Sequence, residues 1–352
     1  MSIFTNFNTD IVEGDIKTGN ISVVSSGMWS GGIGTLTSFY TSSTQSGSTG
    51  AHYYDVYNGE VGTNATASVQ FSIAYGHLEG SGSLTGDSDY AASKAVYRQL
   101  RNLLLPQNQE QFKFGSSNTT SKSIFAISMN RSRLKEKMDP GNWELRLSGS
   151  NGKVIKLIDN SGATGDPNVK ATQREFDVIS GSIASGVAVT GSNTLEYFGK
   201  FFPETGILIL NTDLLVGAGG ANTAGAISMS GFHTESNTEG ISPDHVGGNA
   251  AIFYNAISGA NYFASRREEQ IKSTHYFCRV KHNMYNHSQN PTYFTSTDGT
   301  LTVPSFKTDP KSYITTVGLY NMSNELLAVA KLSRPILKST SREALIKVRL
   351  DF

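Results

Sequence analysis

The sequence predicts an α+β protein in which β structure dominates. A mixed N-terminal core carries one amphipathic helix, a glycine-rich β insertion follows, and a C-terminal antiparallel β module closes the chain. Three observations lead there. Short runs alternate apolar and polar residues with a period of two, which puts one face of a strand on a core. A single stretch repeats its apolar residues at helical spacing. The composition is also that of a turn-rich chain: 36 glycines in 352 residues and only 16% charged side chains, with enough apolar residues (38%) to build a core.

Taken in order, residues 1–50 are rich in Ser, Thr and Gly, with Ile21, Val23, Met28, Trp29, Leu36, Phe39 and Tyr40 spaced through them. This pattern fits an extended arm anchored on a neighbouring chain, or an edge strand with loops. Residues 51–170 form the α+β core. In Ala67–Tyr75 the side chains of Val69, Phe71, Ile73 and Tyr75 share one face of a strand. Asp87, Ser88 and Asp89 supply capping oxygens for a helix over 89–104, with Val96, Leu100, Leu103 and Leu104 on its apolar face and Lys94, Arg98 and Arg101 on a solvated one. Ser123–Met129 reads as a buried strand, and Arg131–Met138 as a helix stopped by Pro140-Gly141. Trp143, Leu145 and Leu147 alternate with Glu144 and Arg146, and Gly149–Gly152 turns this run back into Lys153–Ile158 as a β-hairpin.

Residues 171–260 are the glycine-rich insertion, with strands expected at Phe176–Ser180, Gly186–Thr190 and Gly206–Leu210. Residues 261–352 are the C-terminal module, either separate or packed with the 51–170 core. Within it Tyr313–Tyr320 and Leu326–Leu332 flank a polar connection of hairpin length, Asn321–Glu325. Ala344, Ile346, Val348, Leu350 and Phe352 alternate with a largely charged set, so the chain ends in a strand expected to join the hairpin in one sheet.

These last segments also carry a resemblance. Tyr313–Asn321, Glu325–Pro335 and Ile346–Phe352, together with Val69–His77, Tyr97–Pro106 and Lys135–Glu144, resemble segments of virion structural proteins of contractile-tailed bacteriophages of the myovirus, cyanophage-like kind. The C-terminal hairpin is similar, more loosely, to the attachment module of tail-collar fibre proteins. The resemblance covers about half the chain and brings no catalytic motif with it. It implies a place in a particle, first of all in a tail baseplate.

Charge and motifs bear on the remaining function classes. The 29 basic and 29 acidic residues cancel and form no basic block, which argues against a nucleic-acid partner. No apolar run approaches a membrane span, and the N-terminus lacks the pattern of a signal peptide, so assembly in the host cytoplasm is expected. A single cysteine, Cys278, excludes an internal disulfide. His275, Cys278, His282 and His287 have the residue types of a zinc site, but on a strand His275 would point away from Cys278 and His282. Arg131, Arg133, Lys135 and Lys137 are diluted by Glu136 and Asp139 and follow no glycine-rich cradle. Gly217–Gly220 lacks the lysine and hydroxyl residue of a phosphate loop, Ser81 sits in no nucleophile elbow, and Asp213, Glu235 and Asp244 fall in loop-like sequence.

The expectation is therefore a non-enzymatic structural subunit without cofactor or metal, located in the virion tail. Its partners would be other tail or baseplate proteins, copies of itself and a tail fibre, with no nucleic acid or membrane. The residues expected to make contacts are Trp29, Phe39 and Tyr40 in the arm and Tyr320 and Met322 in the hairpin. A fibre adaptor and a neck or collar protein are the alternative assembly roles, and a polysaccharide depolymerase the enzymatic one.

Overall fold

The computed structural model describes residues 16–42, 53–80, 91–115, 119–164, 174–183, 196–216, 227, 229, 248–295 and 298–351. Strand outweighs helix throughout, as the sequence predicts. The chain divides into two compact units, Val23–Glu269 and a smaller one made of Met1–Ser22 with Gln270–Phe352. The first strand, β1 (Ile16–Gly27), crosses this division, as does the later β13 (Phe263–Val280).

In the larger unit the strands follow as β2 (Thr35–Leu36), β3 (Tyr53–Tyr57), β4 (Val69–His77), β5 (Lys113–Phe114), β6 (Thr119–Thr120), β7 (Ser123–Met129) and β8 (Lys137–Ser148). Then come β9 (Val154–Asp159), β10 (Phe176–Ser180), β11 (Tyr197–Phe202) and β12 (Ile207–Asn211). Four helices interrupt them: α1 (Ala91–Leu104), α2 (Arg131–Leu134), α3 (Thr212–Val216) and α4 (Gly248–Ala260). The strand order is β13-β8-β9-β10-β11-β12-β7-β4-β3, with every neighbouring pair antiparallel.

The segment from Thr35 to Tyr40 joins the two ends of that order. Leu36 pairs with Phe263 of β13, and Tyr40 exchanges both backbone hydrogen bonds with Tyr57 of β3, at 3.1 and 2.8 Å. The sheet is thereby closed on itself, which removes its exposed edges. Its inner face is the core of the unit: Phe71, Ile73 and Tyr75 from β4, Phe125 and Ile127 from β7, Trp143, Leu145 and Leu147 from β8, and Leu208 and Leu210 from β12. Helix α4 packs into the same core through Ala250, Phe253, Ala256 and Ile257, and the Phe253 ring stacks on Phe125 at 4.3 Å.

The outer face of β7 and β12 is covered as well. Ile124, Ala126, Ile207 and Ile209 lie under Tyr97 of α1 and under Phe112 and Phe114. Burial on both faces explains why these two strands read as continuous apolar runs while β4 and β8 alternate. Helix α1 lies close against the sheet at Gly76, where a Cβ would come within 3.1 Å of the Tyr97 backbone.

Several sequence expectations change here. Trp29 and Phe39 belong to this chain's own core, 1% and 8% exposed, because the segment carrying them closes the sheet. The helix begins and ends close to where its spacing places it, but Leu103 is 64% exposed and Tyr97 occupies the centre of the buried face. The helix expected over Arg131–Met138 stops at Leu134, and Pro140-Gly141 lies inside β8 instead of ending an element. The strand accommodates the pair by bulging: Trp143 pairs with Ser265 and Met138 with Arg267, so Asp139–Asn142 loop outward, with Gly141 at φ 80°. The hairpin of β8 and β9 has the expected turn, and the expected strands β10 and β12 are present. The strand expected at Gly186–Thr190, the capping residues Asp87, Ser88 and Asp89, Ser81, the Gly217–Gly220 loop, Glu235, Asp244 and Phe352 lie outside the described residues.

In the smaller unit, residues from Ser273 to Val280 of β13 pair antiparallel with β16 (Ala344–Asp351), which follows β14 (Lys311–Tyr320) and β15 (Leu326–Ser339). The latter two form a two-stranded hairpin of their own. The final strand thus takes β13 as its hydrogen-bonding partner, where the sequence suggested the hairpin. The hairpin instead lies face to face on that pair, with Ile314, Val317, Leu319, Ala328 and Leu332 packed against Ile346, Val348 and Leu350. The alternation in Ala344–Leu350 fits both arrangements, since it specifies a buried face and no particular neighbour.

Candidate interaction surface

The hairpin is two-faced. Its inner residues fill the small core just described, and its outer side carries Tyr313, Tyr320, Leu326, Leu327 and Val329, all between 45% and 67% exposed. Met322, at the tip, is 89% exposed. The Tyr320 ring lies over Gly318, where an added Cβ would sit 2.8 Å from Cε2 and 3.3 Å from Leu326 Cδ1. Glycine at that position lets the aromatic ring lie flat along the strand.

The tip is locally fixed. Asn324 takes the left-handed conformation (φ 60°), and the Asn321 amide N–H donates to the Glu325 carbonyl at 3.0 Å. The Asn321 side chain accepts from the Glu325 N–H at 2.7 Å and donates to the Glu325 carboxylate at 2.6 Å. Met322 therefore stands on a hydrogen-bonded turn, and the Glu325 charge is engaged locally. A rigid strand pair presenting a tyrosine, a methionine and branched apolar residues has the composition of an interface centre.

The five residues expected to make contacts are thus divided. Tyr40 (39% exposed), Tyr320 and Met322 are at the surface, whereas Trp29 donates its Nε1–H to the Phe263 carbonyl at 3.0 Å inside the core and Phe39 packs edge-on against Phe71. Sequence reasoning missed Leu326, Leu327 and Val329. A run of apolar residues on both faces of β15 was the available signal.

The histidine and cysteine residues do not converge. His275 and Cys278 lie on β13 opposite Arg349 and Ile346, and Cys278 packs in the small core. His282 faces Glu343 at 3.4 Å, and His287 packs against the rings of Tyr293 and Phe294. Among the described residues no cluster of His, Cys, Asp and Glu has the geometry to hold a metal ion. The basic residues around α2 are engaged singly: Lys135 pairs with Glu269, Lys137 with Glu268 at 3.1 Å, and Arg133 donates to Ser68 Oγ at 3.0 Å. Asp213 accepts from Ser121 Oγ at 2.7 Å, and burial raises its pKa against the pull of Ser121 and Ser123. No helix among the described residues is long and apolar enough to cross a membrane.

No family model matches this sequence, and neither a curated protein nor a solved structure is detectably similar to it.

Proposed function

We propose that this chain is a non-enzymatic structural subunit of a bacteriophage virion, a tail baseplate component that holds neighbouring tail proteins or fibres in a symmetric assembly. The observation that carries this reading is the exposed apolar side of the β14–β15 hairpin. The same residues, Tyr313–Asn321 and Glu325–Pro335, carry the resemblance to phage virion proteins. A contact of this kind is individually weak and becomes effective through many copies around a symmetry axis. The fibre-adaptor role is a second form of the reading, favoured by the hairpin's similarity to the tail-collar attachment module.

The test is incorporation into particles. Tyr320→Glu combined with Leu327→Glu places two charges on the proposed contact without touching the inner core. Incorporation from a mixture of wild-type and variant protein should fall by about tenfold or more, as expected for the loss of one or two interface anchors, with the melting temperature unchanged. Equal incorporation of the folded variant would sink the reading.

A further inference from the structure

In the smaller unit the side chain of Lys338 is fully buried. Its Nζ donates to three oxygens: the His282 carbonyl at 2.9 Å, the Ser339 carbonyl at 2.8 Å and the side-chain Oδ1 of Asn286 at 2.8 Å. Asn286 is held in turn, its Nδ2 donating to the same His282 carbonyl at 2.8 Å. Lysine amines seldom lie wholly buried, and a buried ammonium with no carboxylate in direct contact is rarer still. Here the amine is pressed against a primary amide whose carbon is the next atom beyond the contacted oxygen. Neither side chain can turn away without giving up its own hydrogen bonds.

We propose that Lys338 and Asn286 condense spontaneously into an intramolecular isopeptide bond. The Lys338 ammonium gives up one proton, and the free amine nitrogen attacks Cγ of Asn286. A second proton passes from Nζ to Nδ2, the Cγ–Nδ2 bond breaks, and the nitrogen leaves as ammonia, which takes up the first proton. One C–N bond forms, one breaks, and nothing is oxidised or reduced. The structure favours the first step, because burial lowers the lysine pKa from its ordinary value. The carboxylate able to carry the proton is Glu343, whose charge acts on Lys338 and which also lies 3.4 Å from His282 Nδ1. Fixed proximity supplies the rest, since an amide becomes a usable electrophile only when its nucleophile is held in near-attack geometry.

The bond would clip residues 52 positions apart in sequence, Asn286 in the loop after β13 and Lys338 near the end of β15. That loop is already tied to the hairpin by the Tyr293 hydroxyl donating to the Lys311 carbonyl at 3.0 Å and by Ser312 Oγ donating to the Tyr285 carbonyl. A covalent closure of this length removes many unfolded conformations, as a disulfide does.

Intact-mass measurement of the purified full-length chain tests the proposal. The expected mass is that of the sequence less one ammonia, with a branched proteolytic peptide joining the segments around Asn286 and Lys338. Asn286→Ala and Lys338→Arg should each restore the full mass and abolish the branched peptide. A wild-type chain at full sequence mass, with both peptides recovered unlinked, would overturn the proposal and leave a purely hydrogen-bonded clamp. Loss of ammonia localised to another asparagine would overturn it equally.

Discussion

Glu144 is a carboxylate 1% exposed, and it is kept charged. Burial pushes its pKa up, but Arg146 Nε at 2.7 Å, the Ile183 N–H at 3.0 Å and Ser182 Oγ at 2.9 Å together outweigh that, and the net shift is downward. Its contribution to stability is therefore complete above the ordinary carboxylate value and is lost as the pH falls below it. Glu144→Gln should cost about 1.5–3 kcal/mol at neutral pH, the scale of hydrogen bonds to a charged group, and should flatten the acid limb of the denaturation profile. His77, 2% exposed at the end of β4, behaves in a related way. Burial, opposed by Glu79 and aided by Lys122, brings its pKa down from 6.5 to about 4. Between those values the unfolded chain binds a proton that the folded chain refuses, so stability falls as the pH falls through this window. His77→Asn should remove that slope from urea titrations run at a series of pH values.

At the scale of elements, the segment from Met28 to Tyr40 decides whether the larger sheet closes. Trp29 sits 4.9 Å from the Phe263 ring and 5.9 Å from Phe71, so it bridges β13 and β4 from inside. Trp29→Ala should cost about 3–5 kcal/mol, the usual range for a buried aromatic, measured by chemical denaturation. A loss below 1 kcal/mol would mean that the segment is only laid on the core. Much of this was legible beforehand. The hairpins β8–β9 and β14–β15, strand β4 and helix α1 each carried a local period and a turn signal. The bulge in β8 was not legible, because Pro140-Gly141 is a stop signal by every local rule. It is tolerated where Asp159 accepts the Gly141 N–H at 2.7 Å and Asp139 holds Ser25 and Asn142, each at 2.7 Å.

For the whole molecule, the two units can be followed separately, since both tryptophans, Trp29 and Trp143, are buried in the larger one. Truncation before Ala344 deletes the pairing partner of Ser273–Val280 and the buried faces of Ile346 and Val348. The smaller unit should then lose several kcal/mol of apolar burial, roughly 1.5–3 for each large side chain, and unfold on its own. Tryptophan fluorescence should keep its native transition while circular dichroism loses strand signal. A shift of both signals together would show that the units do not fold independently.

By itself the sequence determined the class of the protein, most of its strands, the helix α1 and the two-faced character of the last hairpin, because each depends on a period or a turn within some twenty residues. Only the tertiary structure decided which strand the C-terminus joins, that Trp29 and Phe39 point into their own chain, and that Lys338 meets Asn286. Periodicity says that a face is buried and is silent on what buries it; that choice rests on contacts between residues far apart in the chain, such as Trp29 with Phe263.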